Sequence, residues 1–175
     1  MRIKLIALVV VVALAGCFPA NADLQKISEH VYAYVAPDAK SPSDGADANA
    51  GLVIGADSAL VIDTLTSAKA AQRFLADIRK VTDKPIKYAV NTHFHFDHAW
   101  GNSEFVKQGA EIVSSEKAAS NAATSQEWFA NPGQFGMTAE QLEGTTLAAP
   151  TKTFADKLTL DLGGVTVELV YAGHT

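Results

Sequence analysis

Short apolar runs separated by polar turns begin soon after the N-terminal segment of the chain. Residues 24–27 and 31–35 are apolar-rich and are joined by Ser28, Glu29 and His30, a pattern that predicts a β-hairpin with His30 in its turn. Residues 52–54 and 59–62 are continuous apolar runs bounded by glycine and aspartate, as is typical of strands buried on both faces. The pattern therefore predicts four consecutive strands.

The spacing of the apolar positions then changes from that of a strand to that of a helix. Apolar side chains recur at i, i+3, i+4 and i+7, at Ala71, Phe74, Leu75 and Ile78. Thr66 or Ser67 would cap the N-terminus of this helix. Residues 86–90 form the next strand, and two strands joined by a helix favour a right-handed crossover within a parallel sheet. Because such sheets bind ligands beyond the carboxyl ends of their strands, we expect the chemistry directly after Val90.

The alternation of helices and strands continues to the end of the chain. Residues 103–107 and 115–129 are predicted to be helical, with a strand at residues 111–113 between them. Residues 157–162 and 165–171 predict two strands joined by a hairpin turn that contains two glycines. The predicted fold class is therefore α/β.

The N-terminal segment has the pattern of a secretory signal peptide. Arg2 and Lys4 precede an apolar run over residues 5–15, which is shorter than the roughly 20 residues of a membrane-spanning helix. Cleavage after Ala22 would leave residues 23–175 as one domain, whereas cleavage before Cys17, in a sequence that resembles the bacterial lipobox, would attach a lipid anchor there. We expect an exported, periplasmic protein that is either soluble or anchored to the outer membrane as a lipoprotein.

Composition and charge exclude several classes of function. The formal net charge is −5, and no cluster of Lys and Arg offers the basic surface that nucleic-acid binding requires. A single Cys excludes an internal disulfide framework and a cysteine-rich metal site. The five His residues carry more information, because three of them fall within six residues.

A cluster of metal-binding residue types follows the strand at residues 86–90, in the order His93, Phe94, His95, Phe96, Asp97 and His98. In an extended segment residues i and i+2 project to the same side, so His93 and His95 can reach one ion. Asp97 and His98 lie on the predicted turn and could face a second ion. Three imidazoles and a carboxylate favour zinc, which prefers nitrogen ligands and accepts oxygen.

This segment matches the H-x-H-x-D-H signature of the metallo-β-lactamase superfamily. Residues 60–64 resemble the family's strand that ends in Asp, here Asp63, and residues 173–175 resemble its later Gly-His-Thr element. The resemblance extends from about Leu24 to the last residue. It implies the αββα sandwich of that family, of which this chain would hold the N-terminal half to two-thirds.

The resemblance also implies a role for each matching residue. His93, His95 and His174 would bind a first zinc ion, and Asp97 and His98 a second. Asp63 would orient the motif loop through hydrogen bonds, as residues behind metal ligands commonly do, although an Asp at a strand end can also simply form a turn. In having His98 directly after Asp97, the site resembles those of the glyoxalase II, lactonase and third-subclass β-lactamase branches of the superfamily.

The chemistry expected of such a site is hydrolysis. A zinc ion with an open position lowers the pKa of its bound water from 15.7 to about 7, which yields hydroxide as the nucleophile, and it polarises the scissile carbonyl. Asp97 is the candidate catalytic residue, orienting the water and passing a proton to the leaving group. Because the only Cys lies in the signal segment and no serine triad is indicated, no covalent acyl-enzyme is expected.

The substrate is a small molecule that the sequence does not identify. Phe94, Phe96 and Trp100 surround the ligands, and packing beneath the metal loop is favoured over lining a substrate wall. Residues 134–150 are expected to be a family-specific insertion that shapes the pocket. The chain ends one residue after His174, whereas family members continue with an acidic bridging ligand and a last histidine. We therefore expect the sequence to be incomplete and the second zinc site to be short of ligands.

Three functions follow from these expectations. The leading one is an exported zinc hydrolase that opens a β-lactam or a related cyclic amide or ester, with a glyoxalase II-like thioesterase or a lactonase as its alternative forms. The second is a redox member with a di-iron site and a flavin partner, against which export argues. The third is a truncated, non-catalytic metal-binding remnant. The oligomeric state stays open.

Overall fold

The computed structural model describes residues 23–36 and 48–173. In this part of the chain the strands are β1 (Asp23–Lys26), β2 (Val31–Val35), β3 (Ala50–Ile54), β4 (Ala59–Ile62), β5 (Ile86–Asn91), β6 (Glu111–Ser115), β7 (Lys152–Phe154), β8 (Lys157–Asp161) and β9 (Thr166–Val170). The helices are α1 (Ala68–Val81), α2 (Phe96–Ala99), α3 (Asn102–Lys107), α4 (Glu116–Ala119) and α5 (Ala122–Ala130), followed by a 3₁₀ turn at Pro132–Phe135. The predicted signal segment, Cys17 and His174 lie outside the described residues.

Seven strands of the described chain form one sheet in which the spatial order follows the sequence, from β1 to β7. The predicted hairpin of β1 and β2 is confirmed, and β1 to β4 pair antiparallel. From β4 onward the pairing is parallel, with α1 between β4 and β5 as the crossover helix. The carboxyl ends of β4, β5, β6 and β7 therefore meet at one edge of the sheet.

Helix α1 forms where the apolar spacing predicts it and packs on one face of the sheet. Of the two candidate caps, Ser67 is the N-cap, and its side chain accepts a hydrogen bond from the backbone N–H of Ala70. Phe74 and Ile78 are fully buried against strand residues that include Leu52. Burial of large apolar side chains of this kind stabilises a fold by about 1.5–3 kcal/mol each.

A second sheet of two described strands covers the opposite face. Strands β8 and β9 pair antiparallel, as the sequence predicts, and Leu160 and Leu162 pack against Leu60 and Val113 of the large sheet. Helices, large sheet and small sheet are thus three successive layers, which confirms the α/β fold class. No helix of residues 23–36 and 48–173 has the length and apolarity needed to cross a membrane.

Two elements differ from the sequence prediction. The segment predicted as one helical stretch over residues 115–129 is divided at Ser120 and Asn121 into α4 and α5, because both side chains hydrogen-bond back to the carbonyl of Lys117. Strand β7 was not predicted, since its three residues lack a marked apolar run and gain their strand form by pairing with β6.

Candidate metal centre

The histidine-rich motif lies at the sheet edge where the parallel strands end. Strand β5 ends at Asn91, and Thr92 to His95 lead directly into the short helix α2. The expectation that Asp97 and His98 lie in a turn was wrong, because both belong to α2. The His98 backbone N–H donates to the carbonyl of His95 and that of Trp100 donates to the carbonyl of Phe96, which winds the segment into one helical turn.

The structure brings the side chains of the motif close together. The ring centroids of His93 and His95 are 4.6 Å apart, and those of His93 and His98 are 4.1 Å apart. A carboxylate oxygen of Asp97 lies 3.5 Å from Nε2 of His98. His93 and His98 are half-buried, whereas His95 is exposed. The imidazole of His93 therefore lies between the other two rings.

Two of these imidazoles are oriented through their Nδ1 atoms. Nδ1 of His98 lies 2.8 Å from Oδ2 of Asp63, and Nδ1 of His93 lies 3.0 Å from Oγ1 of Thr92. In each ring Nε2 is then the nitrogen left for a ligand. Partners of this kind fix the tautomer and the orientation of an imidazole that binds metal.

Asp63 connects the end of β4 to the motif loop. Its buried carboxylate accepts hydrogen bonds from the backbone N–H of Thr92, at 2.8 Å, and from the Thr92 hydroxyl, in addition to contacting His98. The backbone of Asp63 is left-handed, with φ 63°, as is that of Leu65, with φ 70°. Asp tolerates this conformation better than Leu does, and non-glycine residues held there cost of order 1–3 kcal/mol. The turn after β4 is thus a strained segment that carries the carboxylate to the motif.

The pKa values of the two half-buried histidines are shifted in opposite directions, that of His93 downward and that of His98 upward. Burial lowers the pKa of His93, and the nearby imidazoles of His98 and His95 lower it further, against the weaker opposing effect of Asp63 and Asp97. Burial also acts to lower the pKa of His98, but the hydrogen bond and the charge of Asp63, together with Asp97, raise it overall.

A buried pair of asparagine side chains supports the motif from behind, and sequence reasoning missed it. Asn91 and Asn102 donate to each other's side-chain oxygens, at 2.9 Å in both directions. The Asn91 amide and Thr64 also donate to the carbonyl of His98, and Asn102 donates to the carbonyl of Ala148. The available signal was weak, consisting of two Asn residues that flank the motif where buried structure was predicted.

The aromatic residues of the motif are used in two ways. Trp100 is fully buried, and its ring packs against Phe96 at a centroid distance of 5.4 Å and against Phe129 at 5.1 Å. Phe94 is half-buried and lies 5.3 Å from the ring of Trp128. The favoured interpretation, packing beneath the loop, is confirmed for Phe96 and Trp100, whereas Phe94 also borders a cavity.

The donor atoms of the motif are those that zinc prefers. Imidazole nitrogens of His93, His95 and His98 and the carboxylate of Asp97 match its ligand chemistry. Within residues 23–36 and 48–173, no three His, Cys, Asp or Glu side chains are arranged so that they could hold an ion together. His174, the remaining predicted ligand, lies outside this range. The fit to zinc therefore rests on donor chemistry and on the oriented rings of His93 and His98.

Comparisons with known proteins agree on one family. The sequence profile of the metallo-beta-lactamase superfamily matches residues 43–175. A metallo-beta-lactamase from Pontibacter korlensis is 24% identical with a TM-score of 0.65, and the similarity covers 87% of this chain and 61% of that one. For the FEZ-1 metallo-beta-lactamase from Legionella gormanii the identity is 20% and the TM-score 0.62, over 85% of this chain and 52% of that one. These structures share the fold.

One curated relative is named for an activity other than that of a β-lactamase. A linear primary-alkylsulfatase from a Pseudomonas species is 27% identical over 139 residues, which is 64% of this chain and 26% of that protein. The chain thus spans about a quarter of this relative and between half and two-thirds of the two similar structures. Because the family profile covers most of the sequence and the fold agrees with it, the chain belongs to the metallo-beta-lactamase superfamily.

Proposed function

We propose that the protein is a zinc-dependent hydrolase that opens a β-lactam or a related cyclic amide or ester. The observation that carries this proposal is the pair of half-buried imidazoles, His93 and His98, whose Nδ1 atoms are engaged by Thr92 and Asp63. Rings oriented in this way at the carboxyl edge of a parallel sheet suit a metal-assisted reaction. Membership of the superfamily supports the same reaction class.

The proposed ligands follow the motif. His93, His95 and His174 would hold a first zinc ion, and Asp97 and His98 a second. When bound, zinc supplies an activated water at neutral pH and polarises the carbonyl of the substrate. The cofactor of the proposal is thus Zn²⁺, one or two ions per chain.

The chain's own residues would do the remaining work. Asp97 is exposed enough to reach solvent and lies beside His98, so its carboxylate can orient the attacking water and then pass a proton to the leaving group. Asp63 holds His98 through Nδ1 and holds the loop through Thr92, so it acts as a positioning residue. No side chain in this scheme forms a covalent intermediate.

The first experiment replaces one histidine of the motif and one outside it. His95→Ala is expected to lower kcat/KM on a chromogenic cephalosporin by at least about a hundredfold, because a proposed ligand is lost while the buried core, to which the exposed His95 does not belong, is kept. His30→Ala is the matched control, since His30 is exposed, lies outside the motif and hydrogen-bonds through its ring to the carbonyl of Ile54. Zinc content is measured on both variants. Activity of His95→Ala within a few-fold of the parent would contradict the ligand assignment.

A substrate panel separates the candidate reactions. A β-lactam, a lactone and a thioester test the leading proposal and its alternatives. A second candidate, hydrolysis of a primary alkyl sulfate ester, is favoured by the alkylsulfatase relative and joins the panel. A stable, folded chain that binds zinc but hydrolyses none of them would favour the non-catalytic metal-binding remnant. A stable, folded chain that binds no zinc would contradict the zinc-dependent hydrolase.

We also propose that the protein is exported. The support is the charged and apolar pattern of residues 1–22, with signal cleavage after Ala22 or lipid attachment at Cys17. The mass of the mature protein, measured from the periplasmic and outer-membrane fractions, distinguishes an N-terminus at Asp23 from a lipidated Cys17. An unprocessed chain recovered from the cytoplasm would contradict export.

A further inference from the structure

A cavity of about 160 Å³ lies directly beside the motif loop. It is partly open to solvent and is lined by His93 and Phe94, by residues of helices α4 and α5 and by residues 147–150. An apolar cavity of about 150 Å³ is large enough to hold a benzene molecule. The cavity therefore suits a compact group of about six heavy atoms, at a position next to a proposed metal ligand.

Most of the side chains that line the cavity are apolar, and many of them are small. Six of them are alanines, namely Ala99, Ala118, Ala119, Ala122, Ala148 and Ala149. Trp100, Leu147 and Pro150 complete the apolar part. Among the described residues that line the cavity there is no Asp, Glu, Lys or Arg. A charged group placed there would lose its hydration without gaining an ionic partner, which is costly.

Four of the polar side chains that line the cavity are already paired with the protein. Asn91 and Asn102 use their amides on each other, on His98 and on Ala148. The hydroxyl of Ser114 donates to the carbonyl of Ser115, and Ser125 accepts from the indole N–H of Trp100. A polar occupant would find few free partners, whereas an apolar occupant leaves these bonds intact.

We propose that this cavity binds a compact, uncharged apolar arm of the substrate, a phenyl ring or a short alkyl chain attached next to the scissile bond. His93 and Phe94 belong both to the cavity and to the motif, so an arm seated between α4 and α5 would present the adjoining carbonyl or ester group at the histidines. The proposal rests on the proposed hydrolase function and specifies its substrate class.

The substrate test compares two molecules that share the scissile group and the leaving group but carry either a phenylacetyl or an acetyl arm. The wild-type chain is expected to prefer the phenylacetyl substrate by about tenfold in kcat/KM, a ratio typical of one additional apolar group in a hydrophobic pocket. Ala122→Leu is expected to abolish most of this preference, because Ala122 lines the cavity and the larger side chain would fill it.

A neighbouring alanine supplies the matched control. Ala123 lies on the same helix and is exposed, as Ala122 is, but it does not line the cavity, so Ala123→Leu should retain the preference for the phenylacetyl arm. Ala119→Leu, on α4, is a second filling variant in case Ala122→Leu folds poorly. Equal preference in the wild type, Ala122→Leu and Ala123→Leu would overturn the proposal.

A binding measurement tests the cavity independently of the proposed hydrolase activity. Benzene is titrated into the full chain while the indole N–H resonance of Trp100 is followed by NMR, because this group lies at the cavity beside Ser125. A saturable shift that is present in Ala123→Leu and lost in Ala122→Leu supports the cavity as an apolar binding site, even in a chain without hydrolytic activity. No saturable shift in the wild type, or benzene binding without any preference for the phenylacetyl substrate, overturns the assignment of the cavity to a substrate arm.

Discussion

Asp63 holds three parts of the candidate site with one carboxylate. It bonds to the backbone N–H and the hydroxyl of Thr92 and to Nδ1 of His98, while its own N–H donates to the carbonyl of Val90. A strand ending in Asp was visible in the sequence, and so was its candidate role. The hydrogen-bond partners were not visible, because they depend on the left-handed turn that follows β4.

Replacing this carboxylate by an amide tests its role. Asp63→Asn keeps the size and tolerates the positive φ, but it removes the negative charge that faces His98. We expect zinc affinity to fall about 10- to 100-fold, as measured by competition with a chromophoric chelator. Asp83→Asn, at an exposed position after α1, is the control and should bind zinc like the wild type. Equal affinities for the two variants would show that Asp63 does not support the metal site.

Gly101 allows the chain after the motif to approach the turn after β4. A Cβ atom at this position would overlap the carbonyl oxygen of Thr64 and lie 2.9 Å from Cβ of Ala71, so backbone would have to move. Gly101→Ala is therefore expected to lower the free energy of unfolding by about 1–3 kcal/mol or more in urea. Gly133→Ala, where no atom lies within 4 Å, should be neutral or slightly stabilising. Similar stability of both variants would contradict the close approach.

Helices α1 and α3 are joined by a buried acidic group. Glu104 of α3 is 5% exposed, and its two carboxylate oxygens accept hydrogen bonds from Gln72 of α1 and from Lys107. Burial acts to raise the pKa of Glu104, but the hydrogen bonds from Lys107 and Gln72, with the charge of Lys107, lower it overall below its ordinary value of 4.5.

This shift predicts how stability depends on pH. Because the folded state has the lower pKa, the Glu104 carboxylate stabilises the fold above the pKa of the unfolded chain, and the contribution is lost as the pH falls through the folded-state pKa. Glu104→Gln is therefore expected to be less stable than the wild type at pH 7 and to approach it as the pH falls below 4.5 and through the folded-state pKa, in denaturant titrations. Glu143→Gln removes an exposed ion pair with Lys69 and should change stability little at any pH. A difference for Glu104→Gln that does not vary with pH would contradict the linkage.

At the scale of elements, apolar periodicity predicted the strands and the helix whose formation depends on the local sequence pattern. Eight of the nine described strands and the helix α1 lie where the sequence placed them, because each buries an apolar face of its own. Strand β7 exists through pairing with β6, and the α4–α5 boundary exists through side-chain bonds to Lys117. The cavity beside His93 could not be predicted, since it forms where segments distant in sequence leave a gap.

At the scale of the whole molecule, a metal that binds only the folded chain must stabilise it. Zinc at about 100 times its dissociation constant would add about 2.7 kcal/mol to the free energy of unfolding, and the gain should grow with the logarithm of zinc concentration. We therefore expect Tm to fall after treatment with a chelator and to recover with added zinc. The same titration of His95→Ala should give a flatter response. A wild-type Tm that is constant over a hundredfold range of zinc would contradict specific binding to the native state.

The order of the strands has a consequence for how the molecule assembles. In the large sheet, each described strand from β2 to β7 pairs with the strand that precedes it in the chain. The sheet can therefore grow in one direction as the chain emerges with its N-terminus first, with every new strand meeting an edge that already exists. Asp63 would be in place before Thr92 and His98 emerge, so the histidine loop would form on a template made earlier. The order in which the chain emerges would then set the order in which the candidate metal centre is built.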